Sequence, residues 1–177
     1  MSVIRWWWLR HAPTGATGAI GWHDLPADLS DEARLDDLSA SLPDRAPIVA
    51  SDLDRARSTA ARIAGNRLRL PDEPDLREIH FGAWEGLDFD TIARRFPEDS
   101  SAWWTDPGPA RATGGESFDA LSARVAGAVD RLQRRLGPPG AEGRDIVAVA
   151  HMGPILASLA RATGMTPRQV LGFKIDA

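Results

Sequence analysis

The chain has 177 residues, 43% of them hydrophobic, which fits a single domain spanning 1–177. A chain of this length buries roughly 70% of its unfolded surface and builds a core without staples. It has no cysteine, which excludes disulfides and thiolate metal sites, and its net charge of −4 with scattered basic residues argues against a nucleic-acid partner. Arg5 interrupts a short N-terminal apolar run with no cleavage site after it, and no apolar stretch reaches the roughly 18 residues of a membrane span, so a soluble cytoplasmic protein without a membrane partner is expected.

Residues 3–10 read as a strand buried on both faces, because the run Val3-Ile4-Arg5-Trp6-Trp7-Trp8 does not alternate. The loop 11–29 is rich in Gly, Pro and Ala. Ser30-Asp31 marks a helix N-cap, with the helix running to about Ser41. Pro47 precedes a second strand, Ile48-Val49-Ala50-Ser51, and a helix from about Asp54 to Ala64 closes at Gly65-Asn66. Residues 67–87 read as short strand and loop, broken by Pro71 and Pro74. Helical pieces follow at 88–96 and 99–105, then a loop over 106–115. The longest helix runs from Glu116 to Leu136, with Leu121, Val125, Val129, Leu132 and Leu136 on one stripe, and Gly137-Pro138-Pro139-Gly140 ends it. Ile146 to Ala150 form another buried strand, and Gly153-Pro154 start the next helix. The alternation predicts a three-layer α/β/α sandwich with a mostly parallel central sheet.

Three strands therefore end in polar residues. The first delivers Arg10 and His11, the second Ser51 and, one turn later, Arg55, and the third His151. In open α/β sheets ligands bind beyond the carboxyl ends of the strands, so parallel neighbours would bring these groups to one edge. A neutral imidazole at His11 offers a free lone pair near pH 7 and could attack phosphorus. Arg10 and Arg55 could clamp the phosphoryl oxygens in bidentate geometry. His151, protonated, would donate to the same oxygens at a helix N-terminus, which itself favours anions. Because the whole chain is negative, such a site must be a local cluster of positive groups. A leaving alkoxide needs a proton from a carboxyl group with a raised pKa, and Glu78, Glu85 and Asp88 are all candidates. His23 and His80 read as structural and the tryptophan triplet as core. The four histidines show no close ligand spacing, so no metal and no cofactor is expected.

In order, these pieces resemble the histidine phosphatase superfamily, the phosphoglycerate-mutase-like fold. Its R-H-G-x-T element is similar to Arg10-His11-Ala12-Pro13-Thr14, and its S-x-L-x-R-A-x-x-T-A element to Ser51 through Ala60. Its L-x-E-x-x-F-G-x-W-E-G element is matched by Leu76 through Gly86, and G-G-E-S by Gly114-Gly115-Glu116-Ser117. The closing histidine after an apolar strand is His151. The resemblance implies that His11 is the phosphorylated nucleophile. It implies a phosphate pocket of Arg10, Arg55 and His151, helped by Thr14 and by the amide of Met152. It also implies Glu78 as the general acid and then the base, and leaves Glu85 a structural role. The chain departs from the pattern at Ala12 and Met152, where glycine is usual, and near Thr17, often Asn in relatives. Relatives usually continue into one more strand, so a C-terminal strand is expected to be missing here.

The resemblance implies a phosphomonoesterase acting on a small phosphorylated metabolite through a phosphohistidine. The similarity around the R-H element is to bacterial phosphatases of the α-ribazole type, in cobalamin biosynthesis. Two alternatives stand beside it. One is a phosphoglycerate-mutase-type phosphotransferase, although the stretch between Gly86 and Gly114 is short for the lid that retains an intermediate. The other is a catalytically silent phosphate-binding module on the same fold. Specificity is expected in loops 12–29 and 87–115. There Trp103 and Trp104 read as loop anchors more readily than as a cleft lining. Oligomeric state is not legible.

Overall fold

The sheet has three parallel strands in the order β1-β3-β2: β1 (Ile4–Arg10), β2 (Ile48–Ala50) and β3 (Arg144–Ala150). They belong to a computed structural model that describes residues 3–138 and 143–176. Central β3 carries the run Ile146–Ala150, every residue of it buried. Its side chains alternate between two cores. Val147 and Val149, with Ile48 and Ala50 of β2, face α1 (Glu32–Ser41) and α2 (Asp54–Ile63). Ala148 and Ala150, with Val49, face α5 (Phe118–Leu136) and α6 (Met152–Thr163). This is the expected α/β/α sandwich.

The two-faced burial expected of β1 does not hold. The strand lies at the edge of the sheet, one of its faces is partly buried and the other is open. Trp6 and Trp8 stack at 5.4 Å and pack on the α5–α6 core. Trp7 points the other way, is 39% exposed, and donates its indole N–H to Asp145, which also pairs with Arg5. The core reading of the triplet therefore holds for two tryptophans out of three. An edge position also explains why an arginine is tolerated inside the run.

The helix starts follow local capping chemistry. Asp31 accepts from the Arg34 amide and begins α1, as expected. Ser117 accepts from Ala120 and moves the start of α5 to Phe118, two residues later than the pattern implies. The segment 67–87 contains two 3₁₀ turns, Pro74–Leu76 and Gly82–Trp84, and one isolated bridge from Ile48 to Arg69. Short helices α3 (Phe89–Arg95) and α4 (Pro97–Thr105) form a lobe over Trp84, Ile92 and Ala112. Helix α6 begins at Met152, one residue before Gly153. A last helix, α7 (Pro167–Val170), was not anticipated and rests on a Thr166–Gln169 capping box. Pro139 and Gly140, expected to help end α5, lie outside the described residues; Gly137 provides the stop, with φ 71°. Among the described residues no helix is long and apolar enough to cross a membrane.

Candidate active site

Parallel pairing brings the three strand ends to one edge. The His11 amide donates to the Ala150 carbonyl and the Ser51 amide to the Val149 carbonyl, so His11 and His151 become neighbours across the sheet. Their ring centroids lie 5.0 Å apart. Both are buried, and their hydrogen bonds assign opposite tautomers. His11 Nδ1 lies 2.7 Å from the Ala12 carbonyl. A carbonyl can only accept, so Nδ1 carries the proton and Nε2 is left with its lone pair. Burial, aided by Arg55 and Arg10 against the opposing Ala12 bond, lowers the His11 pKa to about 4, so the ring is neutral at pH 7.

At His151 the logic is reversed. Arg55 Nε donates to His151 Nδ1 at 3.2 Å. Guanidinium N–H can only donate, so Nδ1 is the acceptor and Nε2 carries the hydrogen. That Nε2 is buried and makes no hydrogen bond among the described residues. Burial, then the charge of Arg55, hold His151 well below the usual histidine range. The expectation of a protonated His151 is therefore corrected. It is a neutral N–H donor, because an imidazolium would set an N–H against the Arg55 N–H.

Arg55 is fully buried in the first turn of α2. Its remaining nitrogens donate to the carbonyls of Gly21 at 2.6 Å and His23 at 3.0 Å. The 11–29 loop thus fixes the guanidinium. Gly21 is required at that approach, since a Cβ there would lie 2.1 Å from the Ile79 carbonyl. Arg10 donates to the Ile175 carbonyl through Nη1, while its buried Nε has no partner among the described residues. Thr14 is half-buried and accepts from the Ala16 amide at 3.3 Å, which shapes the loop after the histidine. Met152 is the first residue of α6, so its amide is one of the helix's unpaired terminal donors.

The three candidate carboxylates separate by environment. Glu78 is buried, and its carboxyl accepts from the amides of Ile79 at 2.8 Å and Gly153 at 3.0 Å. Burial raises its pKa, against the opposing effect of those amides and Arg55. Glu85 is committed elsewhere: it accepts from the amides of Gly21, Trp22 and Phe81, between 2.8 and 3.0 Å. Asp88 caps α3 through the Thr91 amide. Only Glu78 reaches the second residue after His151.

Several supporting residues were not singled out from the sequence. Thr59 accepts from the Ala12 amide at 2.9 Å and donates to the Arg55 carbonyl at 2.6 Å, tying the two phosphate-side segments together. Its signal was its place four residues after Arg55, on the same helix face. Trp22 Nε1 and Arg124 Nη2 both donate to the Glu78 carbonyl, at 2.8 and 2.9 Å. Arg124 also holds the Asp75 and Arg77 carbonyls and pairs with Glu116. Its signal was a charge set inside the apolar stripe of α5. His80 packs edge-on to Trp22 at 4.8 Å, in keeping with a structural role. Trp103 is an anchor, edge-packed on Phe81 and Trp84, whereas Trp104 is exposed.

Comparison with known proteins identifies relatives of the whole fold. An adenosylcobalamin/α-ribazole phosphatase of Escherichia coli is 32% identical over 131 residues, covering 73% of this chain and 62% of that one. The chain thus spans less than two thirds of that relative's length. A glucosyl-3-phosphoglycerate phosphatase of Mycolicibacterium vanbaalenii is 36% identical over 174 residues, covering 93% of this chain and 76% of that one. The solved α-ribazole phosphatase from Shigella flexneri superposes with a TM-score of 0.78 at 28% identity, covering 97% of this chain and 86% of that one. The sequence profile of the histidine phosphatase superfamily (branch 1) matches residues 6–177. On the profile and the fold together, the chain belongs to the histidine phosphatase superfamily, branch 1.

Proposed function

We propose that this chain is a phosphomonoesterase working through a phosphohistidine. The observation that carries the reading is the pair of opposed tautomers: a bare Nε2 on His11 beside an N–H at Nε2 of His151. In the first step His11 Nε2 gives its lone pair to phosphorus and the P–O bond to the alcohol breaks. That electron pair goes to the leaving oxygen, which takes the proton of Glu78. Arg10, Arg55, the His151 N–H and the Met152 amide face the charge that builds on the phosphoryl oxygens, with Thr14 shaping the loop beside them. In the second step water attacks the phosphohistidine, the Glu78 carboxylate takes the water proton, and the P–N bond breaks to release phosphate. The raised pKa of Glu78 suits both roles. Within this class, α-ribazole phosphate is the candidate substrate, supported by the names of the enterobacterial relatives.

A phosphomonoester panel tests the reading, with and without a chelator, on the wild type and His11→Ala. Chelator-resistant release of phosphate, lost in the variant, is expected. A chelator-sensitive rate, or a rate that survives the substitution, overturns the mechanism. Phosphate binding without turnover identifies a silent module. With 3-phosphoglycerate and a bisphosphoglycerate primer, an isomer formed without free phosphate identifies a mutase.

A further inference from the structure

A cavity of about 360 Å³ is lined by Glu78 and by residues of the helical lobe, within the range of small-molecule sites. Glu78, Met152 and Gly153 are among its lining residues, so it adjoins the candidate acid. Its walls are apolar and largely aromatic: Phe89, Trp103, Trp104, Phe118, Leu121 and Leu156. Two of these are left open to water, Trp104 at 65% exposure and Phe89 at 53%, with their rings edge-on at 6.3 Å. Trp103 by contrast is fixed against Phe81 and Trp84. Large aromatic faces left open beside a reacting carboxyl are a surface for a ligand ring to cover.

The charge pattern narrows the ligand. Arg168 is the only basic residue in the wall; it is exposed on α7, and among the described residues it forms no hydrogen bond or ion pair. A carboxylate carried into the cavity would lose water beside Glu78 without a buried cation to receive it, which is costly. An uncharged ring loses nothing there and gains the aromatic contacts.

We infer that this cavity receives the alcohol part of the phosphomonoester and selects an uncharged, apolar or aromatic leaving group, with Trp104 and Phe89 as specificity-determining residues. The inference rests on the phosphatase reading above. The substrate then carries its charge only on the phosphoryl group, and the freed alcohol leaves through the aromatic mouth.

Three phosphate esters with alkoxide leaving groups test it: 2-naphthylmethyl phosphate, glycerol 3-phosphate and 3-phosphoglycerate. The kcat/KM for the naphthylmethyl ester should exceed that for glycerol 3-phosphate by at least about tenfold, the scale of burying one aromatic ring, with 3-phosphoglycerate lowest. In Trp104→Ala and Phe89→Ala that ratio should collapse toward unity, chiefly through KM, and Trp104→Phe should restore part of it. Both side chains are exposed, so truncation does not threaten the fold. Calorimetry with the phosphonate isostere of the naphthylmethyl ester, a methylene replacing the ester oxygen, keeps the two readings apart. Tight binding that weakens in Trp104→Ala, with no hydrolysis of any ester, sustains the subsite and sinks the phosphatase. Hydrolysis with no aromatic preference, or equal losses on all three esters in the variants, sinks the subsite and leaves the phosphatase standing.

Discussion

Gly153→Ala isolates the role of Glu78 without touching it. The Gly153 amide lies 3.0 and 3.3 Å from the two Glu78 oxygens, and a Cβ at this position would lie 2.3 Å from Oε1 and 2.9 Å from Leu121 Cδ2. Both obstructing atoms are ends of side chains, so the backbone of α6 need not move. The site is already helical, where alanine is favoured over glycine by up to about 1 kcal/mol. The clash is therefore absorbed by the carboxyl. Restoring ordinary contact near 3.4 Å shifts Oε1 by about 1 Å, a misplacement that can cost on the order of 100-fold. General acid catalysis as a whole contributes roughly 10²–10⁴-fold, which sets the ceiling. The expected result is a fall of about 100-fold in kcat/KM for an alkyl phosphate. For p-nitrophenyl phosphate, whose leaving group needs no proton, the fall should be less than about threefold, since the acid term alone is lost. The ratio kcat/KM is the right measure, because it reports transfer to His11 and excludes the later hydrolysis common to both substrates. Equal losses on the two esters would refute Glu78 as the acid. A large drop in Tm would refute the claim that the side chain, not the helix, takes up the strain.

Three further predictions follow from the same contacts. The His11 pKa is about 4 in the folded chain against 6.5 ordinarily, so both states are neutral above pH 6.5. Between 6.5 and 4 only the unfolded chain takes the proton, and the stability lost as pH falls approaches about 3 kcal/mol. Urea unfolding of the wild type and His11→Asn should converge by that amount between pH 7 and 4, and a pH-independent difference would deny the burial effect. Thr59→Val removes the acceptor of the buried Ala12 amide and should cost about 1–3 kcal/mol, with a loss of kcat as His11 loosens; unchanged stability would mean the amide finds another partner. Arg124→Met strips donors from the carbonyls of Asp75, Arg77 and Glu78 and leaves Glu116 without its charge partner, holding only the His80 amide, a loss of about 3 kcal/mol by urea unfolding. A smaller effect on activated esters than on alkyl esters should accompany it.

The strand ends were legible because a buried parallel strand must finish in polar residues, and those residues had chemistry to offer. His11, Ser51 and His151 meet as the polarity of the runs implied. Glu78 and Glu85 were not separable on residue type alone, because the same carboxyl group sits in both. Their difference lies in which amides surround them, contributed from residues 21, 22, 81 and 153. The edge position of β1 was hidden by composition, since three tryptophans read as core whichever way they point. Helix α7 is four residues long, too short for any apolar period to register, and only its capping pair marked it. Arg124 was passed over because, apart from Glu116, its partners are main-chain carbonyls, which leave no trace in residue type beyond the charge inside the α5 stripe.

The protonation states of the two histidines follow from one arginine and one carbonyl, and that constrains the chemistry further. Bringing a phosphate dianion to the site raises the affinity of nearby imidazoles for protons. At His151 the gain is opposed, because a second proton must enter Nδ1, which faces the Arg55 N–H at 3.2 Å. Arg55 cannot swing away to make room, since its other nitrogens are held by the Gly21 and His23 carbonyls. These contacts hold His151 as a neutral donor. At His11 the Ala12 carbonyl holds the only ring proton on Nδ1, so Nε2 keeps its lone pair. On the proposed mechanism, phosphorus bonding to that nitrogen puts positive charge on the ring, and the carbonyl bond that fixed the tautomer becomes stronger. The residue at position 12 thus acts through its main chain, its carbonyl on His11 and its amide on Thr59. Alanine keeps both main-chain bonds, since neither involves its side chain.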